Sequence, residues 1–289
     1  MSSYTTYTIS DSDNGLFATN RPVILSNNVL KSPGAVAHWA QGSIDNPIIT
    51  GPDVLNPFCD GYTSRQGGPD SVDDNWWLVV NFATPQNFDT VVILNHNLAG
   101  EHVEAGSVDV STVYPAFWFG STLPEGRKAA ISLPPSGPRF GFTADNFFLK
   151  IENASVIPKI GEIFVGKRTQ LPRKASRPYS VDGKINSAAT FESSNGAATK
   201  YNFYTGKSEF EQSFTSTTPE EHQKFQEIAT GSSFGANQVI WIEDPNTNLS
   251  AARFGFIESG FSWPYISPSE REIDLKFSEQ GPHFLSAEG

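Results

Sequence analysis

Two runs of aromatic and β-branched residues constrain this chain more than any other feature. Trp76-Trp77-Leu78-Val79-Val80-Asn81-Phe82 reads as one strand and Asp89-Thr90-Val91-Val92-Ile93-Leu94 as the next. Ala83-Thr84-Pro85-Gln86-Asn87 reads as the turn between them. Neither run alternates cleanly, so both faces of each strand are expected to be covered, as in a sandwich. Phe147-Phe148-Leu149-Lys150-Ile151 and Ile160-Gly161-Glu162-Ile163-Phe164-Val165 read as a closing pair. The segments between are rich in Gly, Pro, Ser and Asp and show no helical period.

Lys167 to Arg177 breaks this pattern with five basic residues (Lys167, Arg168, Arg173, Lys174, Arg177), one proline (Pro172), a second directly after it (Pro178), and no acid. It reads as a linker, and the expected organisation is residues 1–166, a basic Pro-containing linker 167–180, and residues 181–289. Five positive charges between acidic flanks suit docking to an acidic neighbouring subunit, or are simply solvated. The second block holds the clearest helix signal. Thr218-Pro219-Glu220-Glu221 is a capping box, with Thr218 as N-cap, Pro219 at the first helical position and Glu221 reaching back. Phe225, Ile228 and Ala229 form its apolar stripe, and Gly231 marks its stop. Strands flank it, at Phe203 to Phe214, Gln238 to Ile242, Arg253 to Ile257 and Glu272 to Phe277. In the last, Ile273, Leu275 and Phe277 alternate, which turns one face to a core and the other to solvent or a partner. The fold class expected is therefore mainly β, a sandwich followed by a smaller α+β domain with one clear helix.

Charge and cysteine usage narrow the function. The net charge is −11, which argues against a nucleic-acid partner, since phosphate neutralisation needs clustered Lys and Arg. A single cysteine, Cys59, rules out an internal disulfide framework and a cysteine-based zinc site. The opening Ser2-Ser3-Tyr4-Thr5-Thr6 has neither the basic nor the apolar region of an export signal. The longest apolar run, Trp76 to Val80, falls far short of the ~20 residues that cross a bilayer. A soluble protein made in a cytosol, without membrane insertion, is expected.

Candidate chemistry is sparse. Gly231-Ser232-Ser233-Phe234-Gly235 fits G-x-S-x-G, but a nucleophile elbow runs from strand to helix and this motif follows a helix. A helix end and a loop are expected there, and no catalytic residue is assigned. His96, Glu101, His102 and Glu104 fall close together and include transition-metal ligand types, yet without HExxH spacing; a polar loop tip is expected. Asp70, Asp73 and Asp74 offer hard oxygen ligands on a loop, a weak calcium candidate against a solvated acidic turn. Asp11-Ser12-Asp13-Asn14-Gly15 begins like a calcium loop but lacks the EF-hand glycine and glutamate, and reads as a turn. Trp39, Trp118 and Phe119 lie outside the clear strands and suit a sugar platform, an interface anchor or a plug under a loop. With His96 and Asn97 they make up the candidate ligand or interface residues. The sequons at Asn153 and Asn248 carry no function without an export signal.

The strand pair of Asn75 to Phe82 and Phe88 to Leu94, closed by Phe147 to Ile151 and Ile160 to Val165, resembles the galactose-binding-like, discoidin-type jelly roll. The Asn95-His96-Asn97-Leu98 tip is similar to versions in structural proteins of tailed bacteriophages. Phe210, Phe214, the Thr218 to Gly231 helix and the Val239 to Asp244 strand resemble modules of phage tail-tip and baseplate proteins. The resemblance implies a jelly-roll domain over residues 1–166, with a structural calcium possible and no other cofactor. It implies a non-enzymatic virion protein in the tail tip, baseplate or an adaptor, binding sister subunits, a homo-oligomer in the particle. The alternative is a carbohydrate-binding adhesin that uses the jelly-roll loops on a host surface glycan.

Overall fold

The computed structural model describes residues 22–51, 54–55, 68–69, 71, 75–108, 115–122, 128–132, 142–171, 180–184, 188–192, 198–202, 207–242, 253–258, 265–267 and 270–279. The protein is mainly β, with antiparallel sheets and, among the described residues, one α-helix. That helix is not long and apolar enough to cross a membrane.

A six-stranded sheet is built from β2 (Val36–Gln41), β3 (Pro47–Gly51), β4 (Asn75–Phe88), β6 (His102–Val108), β7 (Pro115–Thr122) and β9 (Phe142–Glu152). Their spatial order is β3-β2-β4-β9-β6-β7, antiparallel throughout. A three-stranded sheet pairs β5 (Thr90–His96) with β10 (Ile160–Gly166) on one side and β8 (Lys128–Ser132) on the other. The two sheets form a β-sandwich. Its core takes alternate residues: Ala37 and Trp39, Leu78 and Val80, Phe147, Leu149 and Ile151, and Val103 and Ala105 from the larger sheet, against Val91, Ile93, Ile163 and Val165. Trp39 and Trp76 meet edge to face at 6.3 Å, the geometry favoured by ring quadrupoles.

Three expectations change here. The Ala83 to Asn87 segment is not a turn. Strand β4 runs through it with a shift in register between Asn81 and Gln86, and the chain crosses to the other sheet only at Asp89. Second, the closing strands do not pair with each other, because β9 lies in the six-stranded sheet and β10 in the other. Third, Trp39, Trp118 and Phe119 lie in strands, β2 and β7, and not in loops. Small residues around them (Ala37, Ala40, Ala116, Gly120) hide the strand signal.

The three-stranded sheet is covered on both faces, since every residue of β5 and of β10 is buried. Its second face meets an eight-stranded sheet ordered β11-β1-β16-β17-β19-β15-β12, with β18 beside β19. These strands are β1 (Val23–Leu25), β11 (Arg168–Gln170), β12 (Ser180–Lys184), β15 (Lys207–Thr217), β16 (Val239–Ile242), β17 (Arg253–Glu258), β18 (Tyr265–Ser267) and β19 (Glu270–Glu279). Val92, Leu94 and Phe164 pack there against Val23, Leu25, Ile240, Ile242 and Phe254. A separate hairpin joins β13 (Ala188–Glu192) to β14 (Ala198–Asn202). Within the basic segment, Lys167 is exposed, whereas Arg168 is buried in β11 and pairs with Asp89. Asp89 Oδ1 accepts from the Arg168 backbone N–H at 3.0 Å, from its Nε at 3.2 Å and from Thr90 Oγ1 at 2.9 Å. Asn28 stitches the same region: it donates to Ile163 O and accepts from Val165 N.

The other face of the eight-stranded sheet carries α1 (Pro219–Gly231). Its capping box is formed as expected, with Thr218 accepting from Glu221 N and Glu221 accepting from Thr218 N. Phe225, Ile228 and Ala229 are buried, and the Phe225 ring packs tilted against Phe214 at 5.0 Å. Ile273, Leu275 and Phe277 join them in that core. The helix stop differs from expectation. Gly231 is still helical; a Cβ there would lie 2.3 Å from Ser26 Oγ, so its glycine serves close packing. The reversal is made by Ser233 and Phe234, both left-handed at φ 49° and 55°, with Phe234 N donating to Ala229 O and Ser233 N to Thr230 O, as in a Schellman motif. A left-handed non-glycine residue costs about 1–2 kcal/mol. Ser233→Gly is therefore expected to stabilise the protein by about 1 kcal/mol, and Gly231→Ala to destabilise it. Urea denaturation midpoints check both signs.

Candidate functional site

Register brings the principal polar cluster together. On the outer face of the six-stranded sheet, His102 of β6 lies opposite Glu152 of β9, which lies opposite Asn75 of β4. Two residues along, Glu104 lies opposite Lys150, which lies opposite Trp77. Strand alternation then puts His102, Glu104, Lys150, Glu152 and Trp77 on one face, while their neighbours Val103, Leu149, Ile151, Trp76 and Leu78 fill the core.

Lys150 sits at the centre. Its Nζ is 3.0 Å from Glu104 Oε2, donates to Glu152 Oε1, and stands 5.1 Å from the centre of the Trp77 ring. Burial pulls the ammonium's pKa down, but the hydrogen bonds and charges of Glu152 and Glu104 outweigh it and hold the group above the ordinary lysine value. It is thus charged throughout the physiological range. His102 Nε2 faces the other oxygens of the same two carboxylates, Glu104 Oε1 at 3.7 Å and Glu152 Oε2 at 3.8 Å. The side chains of Lys150 and Glu104 are mostly covered, and those of Glu152 and His102 are 29% and 40% accessible, so the imidazole edge is the reachable side. Trp77 is partly buried; its ring tilts against Phe148 at 5.4 Å, and its Nε1–H has no acceptor among the described residues. The patch offers two carboxylates, an ammonium, an imidazole and an indole within one strand-end region. These groups can grip a polyhydroxyl ligand through paired donors and acceptors, or hold an ion.

The residues singled out by sequence are dispersed. Trp39 is 2% exposed in the sandwich core, so it presents no platform to a ligand. His96 is also buried, at the end of β5, and with β6 beginning at His102 the motif is not one loop. Asn97 is exposed but spent on structure, donating to Ile157 O at 2.9 Å and accepting from Lys159 N at 2.8 Å. Glu101 is buried and accepts from Ser155 N and Oγ. Trp118 stands opposite Gly106 and Phe119 opposite Ala105 in the β6–β7 register. Asp70, Asp73, Asp74 and the Asp11 to Gly15 turn lie outside the described residues. Ser233 of the G-x-S-x-G stretch is exposed in the turn after α1, where Asn237 Nδ2 donates to it at 3.0 Å. Sequence reasoning named His102 and Glu104 but missed Trp77, Lys150 and Glu152. The polar alternation of Lys150 and Glu152 within an apolar strand was the available signal.

No protein-family model matches the chain, and no curated protein matches it. Three similar solved structures cover parts of it. Chitosan-binding module 1 of a chitosanase/glucanase from Paenibacillus sp. IK-5 is 20% identical at a TM-score of 0.34, covering 48% of this chain and 98% of the module. Chitosan-binding module 2 of the same enzyme, in complex with chitotriose, is 17% identical at 0.30, covering 44% and 94%. A Streptococcus pneumoniae fucose-binding module is 16% identical at 0.25, covering 35% and 69%. Likeness at this level transfers no activity to this chain.

His96 makes a testable pH dependence. Its Nδ1 accepts from Leu98 N at 3.1 Å, so the neutral ring carries its proton on Nε2, which is buried without a partner among the described residues. Desolvation lowers its pKa from 6.5 to about 4. The unfolded chain then binds the extra proton first as pH falls from 6.5 toward 4, and stability drops by about 3 kcal/mol over that window. Urea unfolding across pH 7 to 4 is expected to show this loss, and His96→Gln to remove most of it.

Proposed function

We propose that this protein is a non-enzymatic carbohydrate-binding protein whose β-sandwich presents the His102–Glu104–Lys150–Glu152–Trp77 face to a glycan. The observation that carries the reading is Lys150, fixed between two carboxylates and beside an indole ring. Hydroxyl pairs on a pyranose need adjacent donors and acceptors in fixed positions, and an aromatic side chain covers the apolar sugar face. Here those groups are held by a rigid sheet, so little side-chain entropy is lost on binding. Carbohydrate is also what the names of the similar modules state for those modules. The ligand in this reading is a cell-surface or polysaccharide glycan, and no reaction is involved. A glycan array probed with the folded full chain is expected to give saturable binding. Glu152→Gln, which keeps the shape, and Trp77→Ala are each expected to weaken it about ten-fold or more. A folded protein that binds no glycan, or binding indifferent to both changes, contradicts the reading.

A second reading, a structural virion protein in the tail tip, baseplate or an adaptor of a tailed phage, draws on a different surface. Among the described residues strand β3 is the end of the six-stranded sheet, its Pro47-Ile48-Ile49-Thr50-Gly51 carries no charge, and Ile48 and Val36 are 48% and 56% exposed. An uncharged edge strand with exposed aliphatic residues is a pairing surface. On this reading the chain associates with sister subunits in sedimentation velocity, and Ile48→Lys leaves a monomer. A wild-type chain that stays monomeric at high concentration contradicts a contact between copies through this edge.

A further inference from the structure

We infer that His102, Glu104 and Glu152 form a binding site for one divalent transition-metal ion of the zinc class, with Lys150 as its positioning residue. Three ligand atoms, one from each residue, lie within 4.8 Å of one another. Two of the separations are more informative. His102 Nε2 faces Glu104 Oε1 at 3.7 Å and Glu152 Oε2 at 3.8 Å. These are too long for hydrogen bonds. Around tetrahedral zinc, with metal–ligand bonds of about 2.0–2.2 Å, ligand atoms stand about 3.4 Å apart. The imidazole nitrogen therefore needs to close on each carboxylate by only a few tenths of an ångström.

Lys150 does not fill that gap. It bonds the opposite oxygen of each carboxylate, Oε2 of Glu104 and Oε1 of Glu152. Each carboxylate is thus divided, one oxygen tied to the ammonium and the other turned to His102. Groups that hydrogen-bond ligands from behind orient them for the metal, and their loss costs about 10–100-fold in affinity. The donor set also selects the ion. An imidazole nitrogen with two carboxylates suits zinc and its neighbours, whereas calcium takes oxygen ligands alone. Electrostatics favour uptake. With His102 neutral, the two carboxylates and the ammonium leave the cluster at net −1, and the strand backbones on both sides fix the donors in register. Three protein ligands leave a fourth position open to water or to an incoming oxygen. The accessible imidazole edge is the entry side.

The test is calorimetric titration of Zn²⁺ into the chelator-treated full chain with no glycan present, so that it stands apart from the carbohydrate reading. One equivalent of binding is expected. Co²⁺ substitution is expected to give the visible absorption of a four-coordinate site. His102→Ala and Glu152→Gln should each abolish the stoichiometric phase, Lys150→Met should weaken it about 10–100-fold, and His38→Ala should leave it intact. His102 is partly exposed, and melting curves of each variant separate lost binding from lost fold. Absence of stoichiometric binding by the wild type, or binding that survives His102→Ala, overturns the site.

Discussion

Strand β5 is the constraint on which the rest of the structure depends. Val91 and Ile93 face the sandwich core, while Val92 and Leu94, one residue away, face the eight-stranded sheet. A strand with two apolar faces is stable only if both are covered, and each buried Val, Leu or Ile is worth about 1.5–3 kcal/mol. The sandwich alone cannot satisfy it. The eight-stranded sheet can, and α1 in turn covers that sheet's far face through Phe225 and Ile228. The layers therefore follow in order from the one apolar run Val91 to Leu94: six-stranded sheet, three-stranded sheet, eight-stranded sheet, helix. The buried Asp89–Arg168 pair lies where this stacking is joined, at the start of β5 and just after β10, with the carboxylate satisfied by three donors.

Much of this was legible in sequence because the signal is local. The uninterrupted apolar run of β5 implied two covered faces, Thr218 to Glu221 spelled a helix start, and Ile273, Leu275 and Phe277 alternated. What failed was partnership. Nothing in Phe147 to Ile151 or Ile160 to Val165 says that the two strands belong to different sheets. Val23 to Leu25 is too short to announce itself, yet it pairs with β11 on one side and β16 on the other. Gly231 carried the ordinary sign of a helix stop, but tertiary packing against Ser26 uses it, and two non-glycine residues make the reversal instead.

The candidate site was legible by half. His102 and Glu104 stood out as ligand types close in sequence, and their i, i+2 spacing on a strand puts them on one face. Their neighbours His96 and Glu101 were misleading, since one ends a buried strand and the other caps the 153–155 segment. The missing members come from β9 (Lys150 and Glu152) and β4 (Trp77), both distant in sequence, and only antiparallel register brings them in. Charged residues on the flank of an apolar strand look like a solvated face. Here the ammonium between two carboxylates turns that face into an ordered array. Such an array on a rigid sheet has the preorganisation that both glycan and metal recognition require.

The shared central sheet is tested most directly by native-state amide hydrogen exchange at increasing urea. The packing of Val92 and Leu94 against Ile240 and Ile242 predicts that amides of β1, β5, β10 and β16 converge on a single unfolding free energy, the highest in the molecule. Two separate isotherms, with β5 and β10 retaining protection after β1 and β16 have opened, would contradict the account.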